Sequence, residues 1–310
     1  MTHFLQSSAW QSFQKSLNRT TFRKQGDGWE FLAILEHGTL NSRLYCPYGP
    51  SARDASAFLE SLEALKQLGR EQHVTFIRVE PENPDFTDLL ATSHWKPVTY
   101  QQLQPTHSRV IDLTPSEDKL IAQMAQPVRN IYRNYDKKGI SVHHSDDPAD
   151  ITILLRFVHV VAERTGIHPH SDQYFEKIAK TLFPLGAASL WYVAYNDTPI
   201  AAALFYDSSD TRIYAHAGAS SLPEHRRLNA STALLAEAIM DAKHKKLARV
   251  DLYGIAPDNA PASHPWAGFT RFKRSFGGED VTFAGAWDMP LNAPRYWLYR
   301  AYQTAHRKVR

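Results

Sequence analysis

Stretches of two-residue and 3.6-residue hydrophobic periodicity alternate along this chain, and near residue 110 the whole pattern starts again. Residues 29–36 and Ser42–Cys46 read as strands, and 52–71 reads as a helix whose apolar positions Phe58, Leu62, Leu65 and Leu68 keep the helical period. Residues 74–79 form a β-branched strand closed by the turn-forming Pro81, Asn83 and Pro84. A short helix and two strands lead to Asp112. Then Thr114-Pro115-Ser116-Glu117 sets a cap residue and a proline where helices open. A helix carrying Arg129, Arg133 and Lys137 ends at Gly139, and a strand follows at 140–143. Helices at 151–164 and 171–182 precede strands at 189–194, 200–206 and 212–217. A long helix at 230–245, a strand at 250–253, a Pro- and Ala-rich loop at 256–264, a helix at 265–276, a strand at 281–287 and a terminal helix from Ala293 complete the order. Interleaving of this kind confines the chain to a mixed α/β (α+β) architecture of two successive units. At 310 residues the chain is also long for one compact domain. The expected division is 1–109 plus 286–310, with the last helix returning to the first unit, and 110–285.

Composition mainly excludes. The one cysteine, Cys46, rules out an intrachain disulfide and leaves almost no room for a cysteine-based zinc site. It reads as a buried structural thiol. The first 14 residues lack the charged and apolar regions of a signal peptide, and no apolar run approaches the roughly 20 residues that span a bilayer. The expected location is the cytoplasm, including the inner face of the plasma membrane. A net charge of +3 is too weak to prove a polyanionic partner. Arg129, Arg133 and Lys137, at four-residue spacing, make a basic stripe along one helix face, and the tail His306-Arg307-Lys308-Val309-Arg310 is basic too. Both also read as ordinary solvated surface.

Neither a P-loop nor a G-x-G-x-x-G occurs. Where an acetyl-CoA-dependent N-acyltransferase carries a Gly-rich turn, this chain reads Glu224-His225-Arg226-Arg227-Leu228-Asn229-Ala230-Ser231, without glycine. That counts against a CoA donor, although Arg226 and Arg227 are cations able to meet phosphates. No cofactor is expected. His168-Pro169-His170 has no neighbour at metal-ligand spacing, and His143-His144 would point to opposite faces of a strand, so no metal is expected either.

Several segments occur in an order that resembles the FemABX family: Tyr48-Gly49-Pro50, Phe76-Ile77-Arg78-Val79-Glu80-Pro81, Val110-Ile111-Asp112-Leu113-Thr114, and Ala162-Glu163-Arg164-Thr165-Gly166 through Tyr174-Phe175. The Ala217-Gly218 turn, Asp251-Leu252-Tyr253-Gly254, and the run Gly268 to Gly278 around Phe272-Lys273 continue it. The resemblance implies two GNAT-like domains with mixed β-sheets flanked by helices. It also implies an aminoacyltransferase of cell-wall synthesis and cell shape, with aminoacyl-tRNA as donor and the stem-peptide amine of a peptidoglycan precursor, lipid-linked, as acceptor. Some members of that family insert a long helical hairpin, for which this chain has no room.

The same resemblance implies residue roles. Lys273 matches a lysine that stabilises the oxyanion of the tetrahedral intermediate, and Phe272 matches the aromatic beside it. Read from the residues alone, Phe272 and Phe276 are the core face of a helix with Lys273 on its solvent side. Glu80 matches an acid near the acceptor amine, though it also reads as a turn cap. Arg78 belongs to the same segment and is expected at the substrate. Family cations that hold a diphosphate correspond to Ser12, two residues after Trp10, and to His170, four before Tyr174. A family tyrosine corresponds to His216. These departures leave the acceptor open, with Arg129, Arg133 and Lys137 as a replacement cation source or a tRNA contact. Aromatic residues of the last helix suggest a peripheral membrane surface. The alternatives are an N-acyltransferase with another donor or acceptor, or an inert binding homologue.

Overall fold

The computed structural model describes residues 2–39, 41–101, 103–166 and 168–307, so Lys308, Val309 and Arg310 of the basic tail lie outside the described residues. Two compact units emerge: Met1–Thr106 with Thr282–Arg310, and His107–Val281. Each holds a mixed sheet flanked by helices.

In the first unit the strands run in the order Thr21–Gly26, Trp29–His37, Ser42–Cys46, Phe76–Val79, Trp287–Pro290 and Lys96–Pro97, with Ser51–Ala52 beside the second. Ser42–Cys46 and Phe76–Val79 pair in parallel, and Trp287–Pro290 pairs antiparallel to both of its neighbours. The helix Ala55–Glu71 starts at Asp54, whose carboxylate accepts the Ala57 N–H at 2.9 Å. Its Phe58, Leu62, Leu65 and Leu68 pack with Leu44, Ile77 and Val79. Alternation along Phe76–Val79 sends Phe76 and Arg78 to the other face. There Tyr296 and Tyr299 of the terminal helix Ala293–Arg307 close over Phe76 and Tyr100.

Among the elements that escaped sequence reading are two near the start of the chain. The helix Ser8–Ser16 is too short for a persistent period, although it buries Trp10, Phe13 and Gln14 and is capped by Ser7. The strand Thr21–Gly26 reads TFRKQG, polar and without alternation.

The second unit orders its strands Glu279–Thr282, His107–Asp112, Arg249–Gly254, Thr211–Ala219, Thr198–Asp207, Ala188–Tyr195 and Ile140–Ser145. Thr211–Ala219 and Arg249–Gly254 are parallel. The helix Ala230–His244 buries Ala233, Leu234, Leu235, Ala238 and Ile239 with Ala201, Ala203, Phe205 and Trp191.

Three expectations change here. No single helix carries the basic stripe: Arg129 lies in Gln126–Tyr132, Arg133 caps that helix, and Lys137 sits in the 3-10 turn Asp136–Lys138. Arg129 is also turned inward, donating to the carbonyls of Ala122 and Met124. The strand expected at 281–287 is two strands in different sheets, separated by Gly285 at φ +74°. Ala217-Gly218 is no turn but part of Thr211–Ala219. A Cβ at Gly218 would come within 2.6 Å of the Phe157 carbonyl oxygen, so glycine lets the helix Ile151–Thr165 approach the strand.

Candidate functional site

In the second unit the chemistry centres on Lys273, on the helix Ala267–Arg274. Its side chain is buried, at 9% exposure, not on the solvent side that the Phe272–Phe276 spacing suggests. Phe272 itself packs against the core with its ring 5.0 Å from Phe276. The Lys273 ammonium donates to the carbonyl oxygens of Tyr253 at 3.0 Å and Gly254 at 2.7 Å. The ladder slips beside these carbonyls. Asp251 pairs with Val110 and Gly254 with Ser108, so one extra residue bulges, and Tyr253 takes φ +62°.

An ammonium has three N–H donors, and among the described residues these two carbonyls leave one uncommitted. Burial lowers the lysine pKa to about 8, and the charge of nearby Asp251 partly restores it. Lys273 therefore remains mostly charged at neutral pH. Asp251 is itself buried and accepts from Ser108 Oγ and, at 2.7 Å, from the Tyr253 N–H. Burial raises its pKa, opposed by those bonds and by Lys273. Sequence reasoning quoted the Asp251–Gly254 segment but missed Asp251 as the partner charge. The signal available was an acid on a strand, followed by a glycine.

His170, Tyr174 and His216 do come together. The His170 ring stacks on Tyr174 with centroids 4.0 Å apart, and His216 stands edge-on to Phe175 at 5.0 Å and to His170 at 6.3 Å. With Val158, Val161, Ala162, Pro169 and Ala217 the histidines line a cavity of about 300 Å³. Burial, with the neighbouring His170, holds the His216 pKa down to about 4. At neutral pH His216 is an uncharged hydrogen-bonding group in an apolar wall.

In the first unit Glu80 is buried, at 4% exposure, at the end of Phe76–Val79. Its Oε2 accepts from the Tyr45 hydroxyl at 2.5 Å. Burial pushes its pKa up to about 7, while the Tyr45 bond and the charges of Arg78 and Arg43 pull the other way. A carboxyl poised near neutrality can both accept and return a proton. Tyr45 is a partner that sequence reasoning missed. Cys46, beside it, is fully buried, and burial pushes its thiol pKa far up, which leaves it unreactive.

Other candidates lie elsewhere. Arg78 is fully buried, held by Asp288 through two hydrogen bonds and also donating to Tyr100 and Gln101, so it is withdrawn from any substrate. Ser12 is exposed and donates to Ser8 within its own helix. Arg226 and Arg227 are exposed at the end of Pro223–Arg226. Among the described residues no cluster of three His, Cys, Asp or Glu is arranged to hold a metal ion.

A sequence model described as the FemAB family matches residues 185–304, the span that includes His216, Asp251 and Lys273. No curated protein matches the chain in sequence. Among solved structures, FemX superposes with a TM-score of 0.85 at 15% identity, covering 96% of this chain and 94% of that one. The C-terminal domain (DUF2156) of a putative lysylphosphatidylglycerol synthetase from Agrobacterium fabrum gives 0.61 at 10% identity, covering 96% and 93%. A conserved protein of unknown function from Bacteroides thetaiotaomicron gives 0.58 at 10% identity, covering 89% and 87%. The FemAB sequence match over residues 185–304 and the FemX-like fold along almost the whole chain are the findings that support the FemABX family for this chain.

Proposed function

We propose that this chain is an aminoacyltransferase that moves an amino acid from aminoacyl-tRNA to the stem-peptide amine of a peptidoglycan precursor. The observation that carries the reading is the buried Lys273 ammonium, anchored by two carbonyls, with its third N–H uncommitted among the described residues. The donor ester is already activated, so the chain has to position the reactants and stabilise charge. The acceptor nitrogen attacks the ester carbonyl, the C–N bond forms, and negative charge gathers on the carbonyl oxygen. Lys273 supplies a fixed, water-poor positive donor to that oxygen, the environment in which such stabilisation is strongest. The C–O bond to the ribose then breaks, and the proton lost from the amine ends on the ribose oxygen. Separately, within the first unit, Glu80 is proposed as a proton acceptor, since its carboxyl titrates near neutrality. Phe272 borders the lysine and shapes the donor end.

His170, Tyr174 and His216 receive part of the acceptor. Their wall is largely apolar, and His216 is neutral at working pH, so the group bound there is uncharged or weakly charged. This favours a lipid-linked acceptor whose diphosphate is held elsewhere. Arg133, Lys137, Arg226 and Arg227 are exposed cations suited to tRNA phosphates, whereas Arg129 is committed to its own backbone.

The test is transfer from a set of charged tRNAs to lipid-linked and nucleotide-linked muropeptides. Transfer of at least one amino acid to the lipid-linked acceptor is expected. No transfer from any charged tRNA overturns the reading.

A further inference from the structure

The terminal helix Ala293–Arg307 is apolar on two sides. Its inner side is accounted for by Tyr296 and Tyr299, buried on the first unit's sheet. On its outer side Trp297 and Leu298 are 52% and 57% exposed, and Tyr302 is 46% exposed. Pro294, Ala301 and Ala305 are exposed as well. Spacings of three and four residues join Pro294, Trp297, Leu298, Ala301 and Ala305 into one strip along the helix. Single exposed apolar residues are ordinary, whereas a continuous strip centred on Trp and Leu marks a contact surface.

Charge identifies the partner. From residue 293 to 310 the sequence has Arg295, Arg300, Arg307, Lys308 and Arg310 and no acidic residue. The Arg300 guanidinium lies 5.2 Å from the ring centre of Trp297 and 5.2 Å from that of Tyr100, which holds a cation at the edge of the strip. A helix with an apolar strip, an interfacial tryptophan and cations without acids has the makeup of one that lies in the plane of an anionic membrane surface. No helix among the described residues is long and apolar enough to cross a membrane, so this contact is peripheral. An RNA partner would meet the arginines and the aromatic rings. It would gain little from Leu298, which is the most exposed apolar side chain of the strip.

We propose that the outer face of 293–307 docks on an anionic phospholipid bilayer. Trp297 and Leu298 enter the headgroup boundary, and the arginines meet lipid phosphates. The surface stands on this helix alone and does not depend on the transfer reaction.

The test is co-sedimentation of the full chain with phosphatidylcholine vesicles, with and without phosphatidylglycerol. The chain should pellet with the phosphatidylglycerol vesicles and release at high salt. A Trp297→Ser, Leu298→Ser double variant should bind about tenfold or more weakly while melting at the wild-type temperature, since both side chains face outward. Arg295→Gln should weaken binding about fivefold. Absence of pelleting with the anionic vesicles overturns the proposal, as does undiminished binding by the double variant. Loss, in that variant, of self-association or of tRNA retention without any vesicle binding assigns the strip to a second copy or to RNA, and also overturns it.

Discussion

Arg78 and Asp288, 210 residues apart in sequence, are joined by two parallel hydrogen bonds of 2.8 and 2.9 Å, and neither side chain reaches solvent. Burial alone would lower the arginine pKa, but the bonds and charge of Asp288 raise it above its ordinary value. Asp288→Ala strands a buried guanidinium and should cost about 3–5 kcal/mol in denaturant unfolding. Replacing both partners, as Arg78→Met with Asp288→Leu, should cost markedly less. Equal losses in the two variants would remove the pair from the account of stability.

Lys273→Ala should lower turnover by about 10²-fold or more, with a smaller change in KM, because the lost donor acts on the developing oxyanion. Lys273→Arg should recover part of the loss. Steady-state transfer assays decide it, and a Lys273→Ala enzyme as fast as wild type would take the residue out of the mechanism.

The pH profile should be bell-shaped. Glu80 accepts a proton only when ionised, so activity rises as pH passes about 7, and Lys273 donates as a cation, so activity falls as pH passes about 8. Glu80→Gln should abolish the acidic limb, and Lys273→Arg should move the basic limb upward. A profile flat through both values contradicts the two roles together.

Glu80 also makes a stability prediction. Its pKa is raised in the folded state, so between its ordinary value of 4.5 and about 7 the folded chain binds more protons than the unfolded one. Stability contributed by this group is therefore lost as pH rises through that window. Glu80→Gln keeps an acceptor for Tyr45 and should be nearly neutral at pH 4. By pH 8 it should be stabilising by roughly 3 kcal/mol at most. Melting temperatures across the window test the sign.

Two glycines of one segment should respond oppositely to alanine. A Cβ at Gly278, which sits at φ +82°, would lie 2.2 Å from the Val110 carbonyl oxygen, so Gly278→Ala should cost about 1–3 kcal/mol or more. Gly268 lies in a helix with nothing near its Cβ position, and Gly268→Ala should gain up to about 1 kcal/mol. Thermal melts of the pair give the comparison directly.

Much of the fold is legible because its apolar spacing is local. Phe58, Leu62, Leu65 and Leu68 announce their helix, and the short unbroken apolar run from Ile200 to Tyr206 announces a buried strand. What depends on a distant partner is not legible. Arg78 reads as an available cation because its counter-ion is 210 residues away. Lys273 stands out only through family resemblance. Its burial hangs on a one-residue bulge near Tyr253 that no periodicity encodes. The basic stripe fails for the opposite reason: its spacing is helical, but the backbone breaks after Tyr132 and turns Lys137 into a separate 3-10 turn.

The strand Trp287–Pro290 lies between Phe76–Val79 and Lys96–Pro97 in the first unit's sheet. On the ribosome, the segment that begins the chain must therefore wait for almost its last residues, with Arg78 unpaired until Asp288 has been made. Residues 107–281 can complete their own sheet in the meantime. The order of maturation reverses the order of synthesis: the unit begun first is finished last, some tens of seconds later at about 5–20 residues per second.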